Sequence, residues 1–412
     1  MRILVMTPIY KPAVSGSAHL FRCVSEELVR RGHEVTVVTS NAGDYRAFWE
    51  RDMPVNEMPS QESINGITVK RLPVWRGHSC RNYWRLVHYS WKYRLPGSDW
   101  LRTWYDGPIL SGIGGVAKRG EFDIVCAGLT PSMVVPYGRR LATKLGVPLA
   151  LIPGLHADSA FNVDRANLRS IIRSADVLCA NTEFERGYLL DRFGVDANRV
   201  CVTGCGVDPS EFVEADGQAF RNKHGIPSDA PVVLFVGAEV QHKGLLVLLD
   251  AMTRVWRERQ DTRLVVAGVR SSASEELDLR LSADPDLRSR LVRCNSFGDD
   301  EKSGIYDACD VFAMPSWSES FGIVYLEAWT RSKPVIGCKG SAVETVIADE
   351  VDGLLVEPRN EGQLAEALLT LLGSPDMRRE FGNRGREKML STFTWDHVVS
   401  RYERAFGICG AR

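Results

Sequence analysis

Glu319-Ser320-Phe321-Gly322-Ile323-Val324-Tyr325-Leu326-Glu327 follows the apolar run Val311–Met314, with Pro315-Ser316 between them. A short apolar run closed by a proline turn reads as a strand buried on both faces. Gly322 then stands near the start of a helix that carries Leu326 and Ala328. Glu319 therefore falls on the strand-to-helix loop and Glu327 on the helix itself. The first-turn amides around Phe321, Gly322 and Ile323 point into the crevice at the strand ends. Such a helix start suits a diphosphate, because unpaired N–H groups and the helix dipole both favour an anion. Gly322 lets the backbone approach the ligand closely. A carboxylate placed like Glu327 can accept two hydrogen bonds from a ribose diol, which leaves Glu319 nearer the sugar end. Spacing alone keeps a second reading open: a surface loop followed by an ordinary helix with two unrelated acids.

On both sides of this segment, short β-rich apolar runs alternate with helical stretches. In the second half a strand at Val232–Val236, a loop at Gly237–Lys243 and a helix at Leu245–Arg257 are followed by strands at Leu264–Ala267, Leu291–Cys294, Val311–Met314, Pro334–Ile336 and Gly353–Val356. The first half has strands at Ile3–Met6, Val35–Thr39, Ile67–Leu72, Ile124–Ala127, Leu149–Ile152 and Val177–Ala180. Its first two strands flank the helical run Ala18–Arg31, a βαβ unit that predicts a mainly parallel sheet with right-handed crossovers. A chain of 412 residues suits two domains of about 200 each. The polar stretch Gly206–Ser228 reads as the hinge between them.

Composition narrows the function class. A net charge of −1 argues against a nucleic-acid-wrapping protein, although a local basic patch stays open. The apolar opening Met1–Met6 is too short for a signal sequence, and no stretch of 18 apolar residues occurs. The ten cysteines are scattered, without zinc spacing, and reduced thiols of a cytoplasmic protein fit them best. Asp284-Pro285-Asp286 and Asp299-Asp300 are paired acids, but neither follows a buried strand as a metal site would, so surface acids and no metal are expected.

The full string Pro-Ser-x-x-Glu-Ser-Phe-Gly-Ile-x-x-Leu-Glu-Ala, residues 315–328, closely resembles the glutamate-x7-glutamate signature of the retaining GT-B glycosyltransferases, family 4. The resemblance extends over nearly the whole chain, with only residues 45–110 clearly outside it. It implies an α/β fold of the GT-B type, with two Rossmann-like, doubly wound domains facing a central cleft. Residues 1–208 would form an acceptor-binding domain and 209–394 a nucleotide-sugar-binding domain, while the C-terminal helix 395–412 is open to packing on either domain, including a crossing back to the N-terminal one. The implied reaction moves a hexosyl or related sugar from a nucleoside-diphosphate sugar to a hydroxyl acceptor, with retention and without a metal or other cofactor. A UDP-sugar is the first expectation for the donor and a GDP-sugar the second. The acceptor class, whether glycan, lipid-linked or small-molecule scaffold, is left open.

Further segments carry the same resemblance. Pro12-Ala13-Val14-Ser15-Gly16-Ser17 looks like the family's glycine-glycine loop, with Gly16 and Ser17 as donor contacts, though Ser17 stands where the second glycine is usual. Ile152-Pro153-Gly154-Leu155-His156 resembles the strand end whose histidine lies at the reacting sugar, which gives His156 a place beside Glu319. Val236–Gly244 resembles the second domain's phosphate loop, with Lys243 as its cation. Ala238, however, occupies the position of the usual arginine. Arg270, after the next strand, is the candidate replacement. These departures keep a catalytically weak or inactive sugar-nucleotide-binding protein in view; a phosphorylase or epimerase of the same fold is a separate alternative, although no cofactor lysine of a phosphorylase is identifiable.

The region outside the resemblance is aromatic and basic. Six of the ten tryptophans fall from Trp49 to Trp104, and Trp84, Val87, Trp91 and Leu95 recur at helical spacing with Arg81, Arg85, Lys92 and Arg94 among them. Three readings compete: a packed amphipathic core helix, an acceptor pocket with aromatic walls, and a peripheral membrane contact through residues 81–104 at the inner face of the membrane.

Overall fold

The computed structural model describes the chain except residues 14, 51, 56–57, 77–80, 156–164, 296 and 411–412. The chain divides into two compact units, Met1–Cys205 with Trp395–Arg412, and Gly206–Thr394.

Unit 1 contains strands β1 (Arg2–Met6), β2 (Glu34–Ser40), β3 (Gln61–Ile64), β4 (Ile67–Leu72), β5 (Ile124–Gly128), β6 (Leu149–Ile152), β7 (Val177–Ala180) and β8 (Val200–Val202). They form one sheet in the order β3-β4-β2-β1-β5-β6-β7-β8, parallel except for the edge pair β3–β4. The central strands are buried along their length, as both faces of a parallel sheet are covered by helices. The helix Trp395–Gly410 belongs to this unit. It packs on β6, β7, β8 and the helix Gly16–Arg30 through Val398, Val399, Tyr402, Ala405 and Phe406, all buried. Arg31 fixes its outer face, bonding Glu403 Oε2 at 2.5 Å and Asp396 Oδ1 at 2.7 Å.

Unit 2 contains β9 (Val232–Val236), β10 (Arg263–Ala267), β11 (Leu291–Cys294), β12 (Val311–Ala313), β13 (Val335–Cys338) and β14 (Gly353–Val356). Their order is β11-β10-β9-β12-β13-β14, and every pair is parallel. This is the doubly wound order in which the strand sequence reverses between the first and fourth strands, and ligands of such sheets bind outside the carboxyl ends at that reversal. Here the reversal lies between β9 and β12.

Two expectations change. Gly206–Ser228 is not a free hinge but part of unit 2. It carries a helix at Gly217–Lys223 capped by Asp216 and buries Phe212 and Phe220, so its polar composition conceals two anchors. The packed-core reading of the aromatic stretch also fails. A helix does form at Arg81–Lys92, but Val87 and Ser90 are its buried residues, while Trp84, Trp91 and Leu95 are 39–45% exposed.

Candidate active site

The loops leaving β9 and β12 are the two that flank the strand-order reversal of unit 2, and they are bonded to each other. Ser316 Oγ donates to His242 O at 2.9 Å, and Trp317 N donates to the same oxygen at 3.1 Å. Gly244 closes the first loop at φ +79°, where a Cβ would stand 2.3 Å from Pro315 O. A glycine is therefore required there both for its backbone angle and for the close approach.

This junction brings Lys243 to Glu319. The Lys243 ammonium and the Glu319 carboxylate form an ion pair, with the Glu319 side chain 7% exposed and that of Lys243 23%. Gly322, at φ +92°, caps the helix Ile323–Thr330 without a side-chain cap, so the helix start follows closely on Glu319. Phe321 is buried and packs edge-on to Phe393. Tyr325, from the helix's first turn, donates its hydroxyl to Met314 O at 2.6 Å and so ties the helix to the end of β12.

Glu327 lies one turn further along, almost fully buried, and both carboxylate oxygens are engaged. Lys302 Nζ bonds Oε1 at 2.5 Å and Tyr306 Oη donates to Oε2 at 2.6 Å. Both partners come from the helix Asp299–Ala308 and are four residues apart, hence on one face. Burial and the neighbouring Glu327 charge hold the Tyr306 phenol well above its usual pKa, so it remains a donor. Neither Lys302 nor Tyr306 stood out in the sequence. The i,i+4 spacing was visible, but nothing in it says that this helix faces Glu327.

Arg270 is bonded to Asp278 on the helix Ser274–Ala283 and is half exposed. Asp278 is shared with Arg293, whose guanidinium also clasps the fully buried Glu239, Nε to Oε1 at 2.7 Å. The loop that carries Ala238 in place of arginine is thus anchored one residue later by Glu239, through a cation from β11.

In unit 1, Gly16 opens the helix Gly16–Arg30, with Ser15 as its cap. The Ser17 hydroxyl is bonded to Ser15 Oγ at 3.0 Å and to Tyr45 Oη at 2.7 Å. His156 lies outside the described residues. The backbone just before it is held from below: Glu185, buried in the first turn of the helix Glu183–Phe193, accepts from Leu155 N at 2.8 Å and from Asn181 N at 2.6 Å. Burial pushes this carboxyl up to about 7 against those donors. Among the described residues no cluster of three metal-ligating side chains occurs.

Comparison with known proteins agrees with this geometry. Residues 216–388 match the family described as glycosyl transferases group 1, and residues 15–206 match the glycosyl transferase 4-like domain. An uncharacterised glycosyltransferase of Methanocaldococcus jannaschii is 25% identical over 99% of this chain and 98% of its own length. A D-inositol 3-phosphate glycosyltransferase of Kineococcus radiotolerans is 35% identical, over 58% of this chain and 59% of that protein, so the match spans little more than half of that relative. Among solved structures, sucrose-phosphate synthase from Thermosynechococcus elongatus aligns with a TM-score of 0.75 at 20% identity, covering 100% of this chain and 99% of that one. Anabaena HepE in complex with UDP and glucose aligns at 0.72 and 17%, covering 99% of each. At these identities the structural likeness establishes the GT-B architecture, and the family matches reach both units. The chain belongs to the GT-B glycosyltransferases of the family-4 type.

Proposed function

We propose that this glycosyltransferase moves a sugar, with retention, from a nucleoside-diphosphate sugar to a hydroxyl acceptor. The observation that carries the reading is the pair of buried glutamates at the β9/β12 reversal, each held by its own lysine. Glu327, oriented by Lys302 and Tyr306, accepts the ribose diol. The first-turn amides of Phe321, Gly322 and Ile323, together with Lys243, take the diphosphate, and Glu319 orients the donor-sugar hydroxyls and offsets positive charge at the anomeric carbon. His156, from the resemblance of its segment to the family's strand-end histidine, is proposed as a further residue for the donor sugar.

The bond from the anomeric carbon to the phosphate oxygen breaks as the acceptor oxygen forms the new glycosidic bond on the same face. The acceptor proton passes to the departing diphosphate. Amides and a lysine preorganised for the growing negative charge supply the stabilisation this step needs, and the reading routes no step through a metal. A UDP-sugar is the favoured donor and a GDP-sugar the second, in keeping with HepE, which was solved with UDP-glucose. The protein acts at the cytoplasmic face of a membrane, touching it through residues 81–104, where Trp84, Tyr89, Trp91, Trp100 and Trp104 are exposed. Among the described residues no helix is long and apolar enough to cross a membrane.

Ala238 and the engaged Ser17 favour a second reading, a sugar-nucleotide-binding protein without transfer. The two separate in a thermal-shift screen of UDP-, GDP-, ADP- and dTDP-sugars followed by a hydrolysis assay without acceptor. Stabilisation by a UDP-sugar with slow hydrolysis is expected. Stabilisation with no turnover under any acceptor condition supports the second reading. Glu319→Gln should keep the thermal shift and lower turnover at least about 100-fold. Near-normal turnover would remove Glu319 from the mechanism.

A further inference from the structure

The sequence from Trp75 to Ser98 contains five lysines and arginines and no aspartate or glutamate. It folds so that this charge meets aromatic surface. A pocket of about 950 Å³ opens where the end of the helix Arg81–Lys92 and the following turn approach the helices Ser98–Asp106 and Ala166–Ser174. Its apolar wall is Trp91, Leu95 and Trp100, each 39–44% exposed. Its cations are Lys92, Arg94 and Arg102.

Lys92 and Arg94 are exposed, whereas Arg102 is 1% exposed and fixed in place. Asp99 Oδ1 accepts from Arg102 Nη1 at 3.1 Å, and the guanidinium carbon lies 5.5 Å from the Trp91 ring. Asp99 is the one carboxylate among the described lining residues, and its second oxygen already accepts from Ala166 N at 2.7 Å. The lining therefore carries three cations against one carboxylate, and that carboxylate is bonded to its neighbours. Arg169 and Arg173 line an adjoining pocket that shares Asp99 and Ala166, so the positive field continues past the rim.

We infer that this pocket binds the phosphate-bearing headgroup of a membrane lipid. The phosphate sits between the exposed Lys92 and Arg94, with the buried Arg102 charge behind them, and the apolar chain lies along Trp91, Leu95 and Trp100. The planar guanidinium of Arg94 can meet a phosphate with two parallel hydrogen bonds. Tryptophan rings left in water at one end of a cationic pocket are stable at a membrane interface, where ring and headgroup are both accommodated. A free anion would leave the three apolar walls exposed. An acidic protein partner would satisfy the charge without a cavity of this depth. The inference rests on the membrane-contact reading of residues 81–104 and deepens it. It is independent of the identity of the donor.

The test uses the full chain and a soluble probe, dihexanoyl phosphatidic acid below its micellar concentration, followed by tryptophan fluorescence and calorimetry. Dihexanoyl phosphatidylcholine and inorganic phosphate are the controls. Phosphatidic acid is expected to bind at least about tenfold more tightly than either control, the scale of one charge-assisted contact. Arg94→Gln and Trp100→Ala, both at exposed positions, should each weaken it about fivefold or more while leaving the UDP-glucose thermal shift unchanged. Equal binding of phosphatidylcholine or of inorganic phosphate overturns the inference, and so does wild-type affinity in Arg94→Gln. Sedimentation with anionic vesicles separates the two layers of the argument. Vesicle binding without short-chain lipid binding leaves the membrane surface and removes the pocket. Short-chain binding without vesicle binding supports the pocket and removes the membrane contact.

Discussion

Glu319 and Glu327 lie eight positions apart, yet their surroundings divide the labour between them. Glu319 sits on a loop beside a partly exposed lysine, which suits a group that must respond to an arriving diphosphate. Glu327 is held at both oxygens, which suits a fixed acceptor for a ribose. Tyr306→Phe should leave the fold intact and weaken UDP binding about tenfold, since a hydrogen bond to a charged group contributes about 1.5–3 kcal/mol. Calorimetry that finds unchanged affinity would mean that Lys302 alone orients Glu327. Glu185 makes a different expectation, one of pH. Its carboxyl rises from 4.5 unfolded to about 7 folded, chiefly through burial. Both states are protonated well below 4.5, so the group then costs nothing. Between pH 4.5 and 7 the unfolded chain ionises this acid while the folded chain keeps it protonated, so stability falls by up to about 3 kcal/mol, a loss complete above neutrality. Urea unfolding of Glu185→Gln should be less stable overall but flatter with pH between about 4.5 and 8; parallel pH curves for the two proteins would refute the assignment. Glu319, Glu327 and Lys243 could be picked out in the sequence because a local string carries them. Lys302 and Tyr306 could not, nor could the hold of Glu185 on Leu155, because each acts across the fold on a segment that the chain order does not place beside it.

At the level of elements, strands buried on both faces were the easiest to read. Val232–Val236, Leu149–Ile152 and Val177–Ala180 are continuous apolar runs, and they fold with those limits. The antiparallel edge strand Gln61–Ile64 escaped because its pairing comes from the backbone of β4, and its exposed, polar side chains give no apolar run. The aromatic helix shows what periodicity leaves undecided. Spacing identified a helix and offered Trp84, Val87, Trp91 and Leu95 as one face, but the chain turns Val87 and Ser90 inward and leaves the large rings outside. The two loops at the strand reversal supply the sharpest test at this scale. Gly244→Ala adds a Cβ against Pro315 O in a backbone region disfavoured for alanine, so it should destabilise unit 2 by more than about 1–2 kcal/mol. It should also lower UDP affinity by displacing Lys243. A variant of wild-type stability and affinity would show that the two loops adjust freely.

In the whole molecule, two α/β halves follow from the alternation of runs along the chain, but the ownership of the last helix does not. An amphipathic segment at a chain end carries no label for the sheet it will cover. Trp395–Gly410 covers β6, β7 and β8 with five buried side chains, each contributing about 1.5–3 kcal/mol, together comparable to the stability of a whole domain. Removing residues 395–412 should therefore open unit 1 and leave unit 2 folded. Limited proteolysis would show this as a protected fragment near 206–394, and equal protection of both units would contradict it.

The same helix sets an order of events during synthesis. Domains ordinarily fold as they emerge, the amino-terminal one first. Here the segment that completes the first unit is translated after the whole of Gly206–Thr394, which is continuous and can close before it. The second unit to be translated is thus the first that can finish. Until Trp395–Gly410 has been made, the face of β6–β8 that it covers is open, and apolar surface left open in this way is prone to aggregate.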